Sequence, residues 1–575
     1  MENLSLINTK RTLAFHLSIP YKSFVYLLYH LDHPYSTFEI LKKNGESRVI
    51  NSPHPKLKRL QYKIKDLLET QYNLMMKDRV SHNVSHGFIK ERSIFTNAKI
   101  HRNKKIVFNI DIKDFFKSIH FGRVRGFLIK NKYFLLNDEV ATTISKLICY
   151  EGSLPQGAPT SPIMSNLILN IFDMKVLDIC QKYSVDYTRY ADDLTFSSNS
   201  RKFYQSFGDF YYEIEQLINK NGFKLNGSKY RVQLNNSRQE VTGLVVNNRL
   251  NIKRDYYKAT RSLVHKFLLD QSPIINEQVL NANQIEGRLS FIHSIEIYNK
   301  KIEYNKERQE KSYRKDFTTY LHDSVLNAKE REYQKFLFYN LFYKPNNIVV
   351  FPEGKTDIYY IKAALKKYYK EYPELVEFKD NKYHYKINFI KRNKRLYYFF
   401  DLAIDGADTM SKILNYYSSK PGGKHNKNPI NYFQYFNERL DIQPSKPVVL
   451  LFDNEGKDKP LHKFINTAKK QLDIDSDMLK SKLNTCDPSP VNLIGNLYIL
   501  TINKLEADKE YEIEDMIKEY TDNLVINGRK YLNKGEGNSI SKIVLAQNVL
   551  ENYETINLEN IKPLLNKLKI LKNLY

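Results

Sequence analysis

Hydrophobic and polar positions change rhythm several times along these 575 residues, and each change predicts an element. Residues 105–111 (Lys-Ile-Val-Phe-Asn-Ile-Asp) are almost continuously apolar and end on an acid, the pattern of a buried strand with a carboxylate at its exit. Apolar residues at i, i+3 and i+4 over 164–183 predict a helix. Residues 187–198 alternate around Asp192-Asp193 and predict a hairpin. Residues 209–221 form an amphipathic helix pattern that Gly222 stops. Residues 1–100 mix short helical patterns with an extended segment, 37–50, broken at Asn44-Gly45.

The second half has a different texture. Residues 255–340 are predicted mostly helical, with Lys, Glu and Arg so dense over 299–315 that a solvated helix face is expected there. An apolar strand restarts at 347–351, and a helical pattern follows over 358–369. A further strand, 448–452, delivers Asp453, and 497–502 is another strand candidate. Such alternation predicts a small α/β domain. The last fifty residues read as helical, and no internal repeat is present.

Composition adds a partner class. Lys and Arg number 90 against 64 Asp and Glu, and the net charge of +26 favours a polyanion such as nucleic acid. Hydrophobic residues make up 42%, enough for globular folding, and the length predicts three or four domains. Cys149, Cys180 and Cys486 are too few and scattered for a disulfide framework or a zinc site, which fits a reducing cytoplasm. Residues 1–30 carry no secretory pattern. No uncharged run approaches the roughly 20 residues of a membrane helix. The expectation is a cytoplasmic bacterial protein without a membrane partner.

Candidate chemistry lies in two acidic sets. Nucleotidyl transfer needs divalent ions held by carboxylates, one activating a primer hydroxyl and one holding a triphosphate. A strand end at Asp111 and a tight hairpin at Asp192-Asp193 can supply such a set. An isolated Asp-Asp in a turn is more often turn chemistry, but here the surroundings are specific. Tyr190-Ala191-Asp192-Asp193 follows Asp111-Ile112-Lys113-Asp114-Phe115-Phe116, with Leu154-Pro155-Gln156-Gly157-Ala158-Pro159-Thr160-Ser161-Pro162 between them. Lys42-Lys43-Asn44-Gly45-Glu46-Ser47-Arg48 precedes these strings, and Gly222-Phe223-Lys224-Leu225-Asn226 with Lys229 follows. In this order they resemble the fingers and palm motifs of reverse transcriptases. Asn97-Ala98-Lys99-Ile100-His101, Val241-Thr242-Gly243 and Gly287-Arg288-Leu289-Ser290-Phe291-Ile292 narrow the resemblance to retron reverse transcriptases, over roughly residues 20–310.

That resemblance implies roles. Asp111, Asp192 and Asp193 would hold two Mg²⁺ ions. Arg48 and Lys43 would grip the triphosphate of a deoxynucleotide. Gln156 and Gly157 would line the pocket, and Phe116 would crowd a ribose 2′-OH. Asn97 and His101 would contact a cognate structured RNA.

The second set is Glu353-Gly354 after the strand 348–352, and Asp453-Asn454-Glu455 after the strand 448–452. An acid at a strand end can meet metal, and a glycine lets backbone approach phosphate. These strings resemble a TOPRIM domain, which uses a strand-end Glu and an Asp-x-Asp pair for Mg²⁺; Glu455 stands where the second Asp is usual. Glu353, Asp453 and Glu455 are therefore the candidate ligands. Asp405-Gly406-Ala407-Asp408 matches the intervening glycine turn, and Glu512-Ile513-Glu514-Asp515 resembles a late acidic segment of nuclease-type members.

Both halves together resemble a retron reverse transcriptase fused to TOPRIM. The expected fold is an α+β right-hand polymerase followed by an α/β domain with a mostly parallel sheet. The expected bounds are 1–250 for fingers and palm, 251–315 for the thumb, 316–345 for a helical connector, 346–525 for TOPRIM and 526–575 for a helical end. The resemblance implies synthesis of branched multicopy single-stranded DNA from a cognate non-coding RNA, with a TOPRIM nuclease effector for anti-phage defence. A homo-oligomer is left open. The alternative is another bacterial reverse transcriptase carrying a structural, inactive TOPRIM-like nucleic-acid-binding module.

Overall fold

After two short helices, Lys10–His16 and Tyr21–Tyr29, two extended runs pair early in the chain. In the computed structural model, which describes residues 7–41, 45, 47–77, 84–311, 315–404, 409–420, 429–456, 459–507, 509–526, 528–532 and 539–574, β1 (Tyr35–Leu41) pairs antiparallel with β2 (Ser47–Pro53). Lys43 and residues 405–408 lie outside the described residues. The chain divides into two compact units, 1–254 and 255–575.

In the first unit the helix Pro55–Lys77 buries Leu57, Leu60, Ile64, Leu67, Leu68 and Met75, an apolar stripe at helical spacing. The run 105–111 becomes β3 (Ile106–Asp111), whose apolar side chains are enclosed. It sits inside a four-stranded sheet with β4 (Asp186–Tyr190), β5 (Asp193–Ser198) and β6 (Arg231–Leu234), in the order β4-β5-β3-β6. Every pairing in this sheet is antiparallel. The helix Ser161–Tyr183 is buried along most of its length, and Phe207–Lys220 packs against it. Phe108, Phe196, Phe203 and Phe210 are fully buried in mutual ring contact. Each contributes about 1.5–3 kcal/mol by leaving water. A short hairpin, β7 (Glu240–Val241) and β8 (Leu244–Val245), turns through Thr242 and Gly243, both at positive φ, as a tight two-residue turn requires.

The second unit opens with helices Arg254–Leu268 and Ala282–Lys311, joined through a small hairpin of β9 (Ile274–Ile275) and β10 (Gln278–Val279). The charged run beginning at 299 is not simply a solvated face. Lys300 donates to Glu330 at 3.0 Å and to the Tyr398 hydroxyl at 2.6 Å, and Glu330 is fully buried. Five further strands form the central sheet: β11 (Ile348–Pro352), β14 (Ile387–Phe389), β15 (Val448–Phe452), β16 (Val491–Ile494) and β17 (Leu497–Thr501). Between β11 and β14 in sequence, β12 (Val376–Lys379) and β13 (Lys382–Tyr385) make a separate hairpin. The sheet order is β14-β11-β15-β17-β16, parallel except for β16. β11 and β15 are buried at every residue, which explains why they read as unbroken apolar runs: parallel strands are covered on both faces. One face carries an aromatic cluster around Phe338, Tyr343, Tyr416 and Phe436; the other carries Ile361, Leu365, Leu545 and Leu565.

Candidate active site

The pairing register brings the first acidic set together. Asp111, the last residue of β3, lies opposite Asp193, the first of β5, and the Ile112 amide donates to the Asp192 carbonyl at 3.0 Å. The connection between β4 and β5 runs through Ala191 at φ +58, a left-handed conformation that costs a non-glycine residue about 1–2 kcal/mol.

A buried charge network holds that turn. Arg189 is fully enclosed. Its Nε donates to Asp173 Oδ1 at 2.9 Å and its Nη2 to Asp173 Oδ2 at 2.8 Å. Its Nη1 reaches Asn166 Oδ1 at 3.1 Å and the Ala191 carbonyl at 3.2 Å. Burial opposes the Arg189 charge, and the facing Asp173 carboxylate outweighs it, so the guanidinium holds its proton more tightly than usual. The segment 84–88 runs alongside: Arg189 N donates to Val84 O at 2.7 Å and His86 N to Arg189 O at 2.8 Å. Asn166 Nδ2 donates to the Gly87 carbonyl at 3.0 Å. A Cβ on Gly87 would stand 2.7 Å from the Ala191 amide nitrogen, so only glycine allows this approach. The sequence reading missed Arg189, Asp173 and Asn166, because charged residues in helix and strand patterns give no sign of mutual burial.

The acids themselves are crowded. Lys229 Nζ donates to Asp111 Oδ2 at 2.6 Å, and Asn226 N donates to the Asp111 carbonyl at 2.8 Å. Burial, then the neighbouring Asp111, raises the Asp192 pKa. Burial, then Asp192 and Asp111, pushes Asp193 up to about 6. Lys229 opposes both shifts, and Arg48 on β2 is close enough to favour ionised Asp192. Gln156 and Gly157 dock on the same strand. The Gln156 carbonyl accepts from Asn51 N at 2.8 Å, and a Cβ on Gly157 would stand 2.6 Å from the Asn51 carbonyl. Phe116 is half-buried, its ring 5.2 Å from Phe115 and 6.4 Å from Phe88.

Asn97 and His101 lie elsewhere than a contact with RNA requires. Both are fully buried. His101 Nδ1 is hydrogen-bonded to Ser197 Oγ and Nε2 to Thr188 Oγ1, each at 2.7 Å. Burial first, then Lys104, lowers its pKa to about 3 and keeps the ring neutral. The helix Ile94–Ile100 thus leads into a residue that ties β4 to β5, and neither Asn97 nor His101 reaches the surface.

In the second unit Glu353 and Asp453 leave adjacent parallel strands. Glu353 N donates to Leu451 O at 2.8 Å, and Asp453 N donates to Glu353 Oε2 at 3.2 Å. Asp357 begins the helix Asp357–Lys367 and accepts from Gly354 N at 2.8 Å; a Cβ on Gly354 would collide with its carboxylate. Backbone hydrogen bonds between Asn454 and Tyr511 bring in Glu512 and Glu514. Lys542 lies 2.6 Å from Glu512 and 3.6 Å from the buried Glu514. Burial raises Glu353 to about 7, with Glu455 adding repulsion. Burial, then Glu514 and Glu353, raises Asp357 to about 7. Asp453 is pushed up well beyond its ordinary range by burial and then by Asp357 and Glu353. Glu455 pairs with Lys459 at 3.0 Å. Asp357 and Lys542 were not among the expected site residues; the spacing Glu353-Gly354-x-x-Asp357 was the available signal for the first.

Among the described residues, no three or more His, Cys, Asp or Glu side chains are placed so that they could hold a metal ion. The donor sets nevertheless have the chemistry of a hard divalent cation: oxygen ligands only, whose mutual repulsion such a charge relieves.

Comparison with known proteins gives four findings. The family model described as reverse transcriptase (RNA-dependent DNA polymerase) matches residues 40–246. The retron Mx65 reverse transcriptase of Myxococcus xanthus is 33% identical over 257 residues, covering 40% of this chain and 56% of that relative, so the match spans little more than half of Mx65. The retron Ec86 reverse transcriptase of Escherichia coli is 33% identical over 275 residues, covering 47% of this chain and 79% of that relative. A telomerase from Candida albicans, solved with a TWJ fragment of telomeric RNA, overlaps 53% of this chain and 60% of its own, at 11% identity and a TM-score of 0.31, too low to argue from.

Proposed function

The chain belongs to the retron reverse transcriptase family, and from that premise we propose that its first unit copies a cognate non-coding RNA into branched multicopy single-stranded DNA. The observation that carries this reading is the β3–β5 register, which sets Asp111 opposite Asp193 beside the Asp192 turn. Asp111, Asp192 and Asp193 would hold Mg²⁺, which supplies charge to a primer hydroxyl and a triphosphate. Lys229 favours the ionised form of both Asp192 and Asp193, Arg48 that of Asp192, and Arg48 would meet the triphosphate charge. Lys43, outside the described residues, would take the same role on the strength of the motif. Gln156 and Gly157 would border the nucleotide and template, and Phe116 would exclude a 2′-OH. The buried His101, bonded to Thr188 on β4 and Ser197 on β5, would act by fixing those strands, and the buried Asn97 would act from the interior beside it. The test is primer extension: Asp192→Asn should lower the rate by at least about a hundredfold while RNA binding survives, since phosphate contacts come from the basic surface. Normal extension by this variant would overturn the assignment.

We also infer a second phosphoryl-transfer site, of TOPRIM nuclease type, in the second unit. What supports it is the parallel pair β11 and β15 with Glu353 and Asp453 at adjoining ends and Asp357 beside them. Mg²⁺ would be held by Glu353, Asp357 and Asp453, with Glu455 nearby. In this reading the nuclease is the toxic effector of anti-phage defence, restrained by the RNA–DNA product. The Glu455–Lys459 pair favours a second reading, a structural module without chemistry. Glu353→Ala and Asp453→Ala decide between them: loss of defence with intact DNA synthesis supports the nuclease, and full defence supports the module.

A further inference from the structure

On the helix Asp357–Lys367, Tyr359, Lys362 and Lys366 fall at i, i+3 and i+7 and share one face over about 10 Å. The ammonium of Lys362 lies 5.0 Å from the Tyr385 ring and 5.5 Å from Phe389. That of Lys366 lies 5.7 Å from Tyr383 and 5.0 Å from Tyr553. Lys391, which follows β14, lies 5.9 Å from Tyr359. Lys362, Tyr383, His384, Tyr385, Phe389 and Lys391 line a groove of about 390 Å³. Burial lowers the pKa of Lys362, and so do the neighbouring Lys391 and Lys366. The groove is therefore a gathering of like charges seated on aromatic rings.

Its position matters as much as its charge. Tyr359 is two residues beyond Asp357. Arg392, next to Lys391, donates to the Pro352 carbonyl at 3.3 Å and favours ionised Glu353. One end of the groove thus adjoins the acids of the second unit.

We propose that this groove is a track for single-stranded DNA, with Lys362, Lys366 and Lys391 on its phosphates and the tyrosine and phenylalanine edges beside unpaired bases. Interleaved lysines and aromatic rings are the chemistry that holds single strands without reading sequence. The occupant is DNA because the product proposed for the first unit is DNA, which would be held on the same molecule at high effective concentration. The inference rests on the reading of the first unit as a DNA-synthesising enzyme and places a substrate class beside the second unit's acids.

The test is ultraviolet crosslinking of oligo(dT) to the full-length protein in EDTA, followed by mapping of the crosslinked peptides. Crosslinks are expected within residues 382–391. They should fall roughly tenfold in Lys362→Glu/Lys391→Glu, with crosslinks in the first unit retained. Lys391→Glu alone changes an exposed residue and guards against misfolding; it should give a smaller loss of the same kind. No crosslink in 382–391 while the first unit is labelled would overturn the track. Equal or stronger labelling by oligo(rU), or by duplex DNA, would overturn the assignment to single-stranded DNA. Because EDTA removes catalysis from the readout, the track and the nuclease reading fail separately. Crosslinks at 382–391 without metal-dependent cleavage would sink only the nuclease, and cleavage without such crosslinks only the track.

Discussion

Arg189→Met removes the guanidinium that braces the Asp192 turn and leaves a side chain of similar length in its place. The loss is large because every partner is enclosed. The Asp173 side chain is only 4% exposed, and Asn166 Oδ1 and the Ala191 carbonyl each lose a donor. Breaking one half of a buried ion pair costs about 3–5 kcal/mol. For a unit of this size each kcal/mol lowers the melting temperature by about 2–4 °C, so a fall of roughly 6–20 °C is expected. Two measurements on the full-length protein separate stability from positioning. Thermal unfolding reads the first. Primer extension, well below the variant's melting temperature, reads the second through kcat and KM separately. Arg189→Met/Asp173→Leu discards both charges and should recover most of the stability, since buried pairs are often replaceable by apolar residues. It should not recover kcat, because the Ala191 carbonyl still lacks its donor. A single variant that melts within about 1 kcal/mol of the parent, or a double variant with full kcat, would refute the reasoning.

Four further outcomes follow from the same geometry. Asp193→Asn should raise the melting temperature of metal-free protein at pH 7. The folded pKa of Asp193 is raised to about 6, so its penalty is absent near pH 4, grows as pH rises toward 6, and is full above it; a stabilisation that persists unchanged at pH 4 would contradict this. His101→Ala should cost about 2–4 kcal/mol by stranding two buried hydroxyls, and should slow extension on cognate RNA and on a generic template alike; selective loss on cognate RNA would restore a recognition role. Phe116→Ala should admit ribonucleotides, and an unchanged sugar preference in an active variant would reduce Phe116 to packing. Gly354→Ala should displace Asp357 and abolish Mg²⁺-dependent cleavage without altering DNA synthesis; retained cleavage would exclude Asp357 from the site.

The sequence was most readable where a single element announces itself. The apolar run before Asp111, the alternation around Asp192 and the unbroken apolar strands before Glu353 and Asp453 all have local periodicity, and their strand ends carry the candidate acids. What stayed hidden depends on partners far away in sequence. Arg189 and Asp173 look like surface charges until the sheet closes over the helix that carries Asp173. Lys300 looks solvated until Glu330 arrives from another helix. His101 reads as a ligand-contacting residue because a motif string shows which residues recur together, not which way they face. No helix among the described residues is long and apolar enough to cross a membrane.

The two glycines Gly157 and Gly354 would answer differently to a genetic suppressor screen. At Gly354 the obstacle to a methyl group is a side chain, the Asp357 carboxylate, so shrinking residue 357 would make room and restore the fold at the expense of an acid. At Gly157 the obstacle is the main-chain carbonyl of Asn51, and φ is +131 as well. No replacement at position 51 removes a carbonyl that every amino acid carries. Position 157 therefore has no compensating partner there, and the contact between its loop and the strand bearing Arg48 is written in backbone rather than in side chains that could drift together.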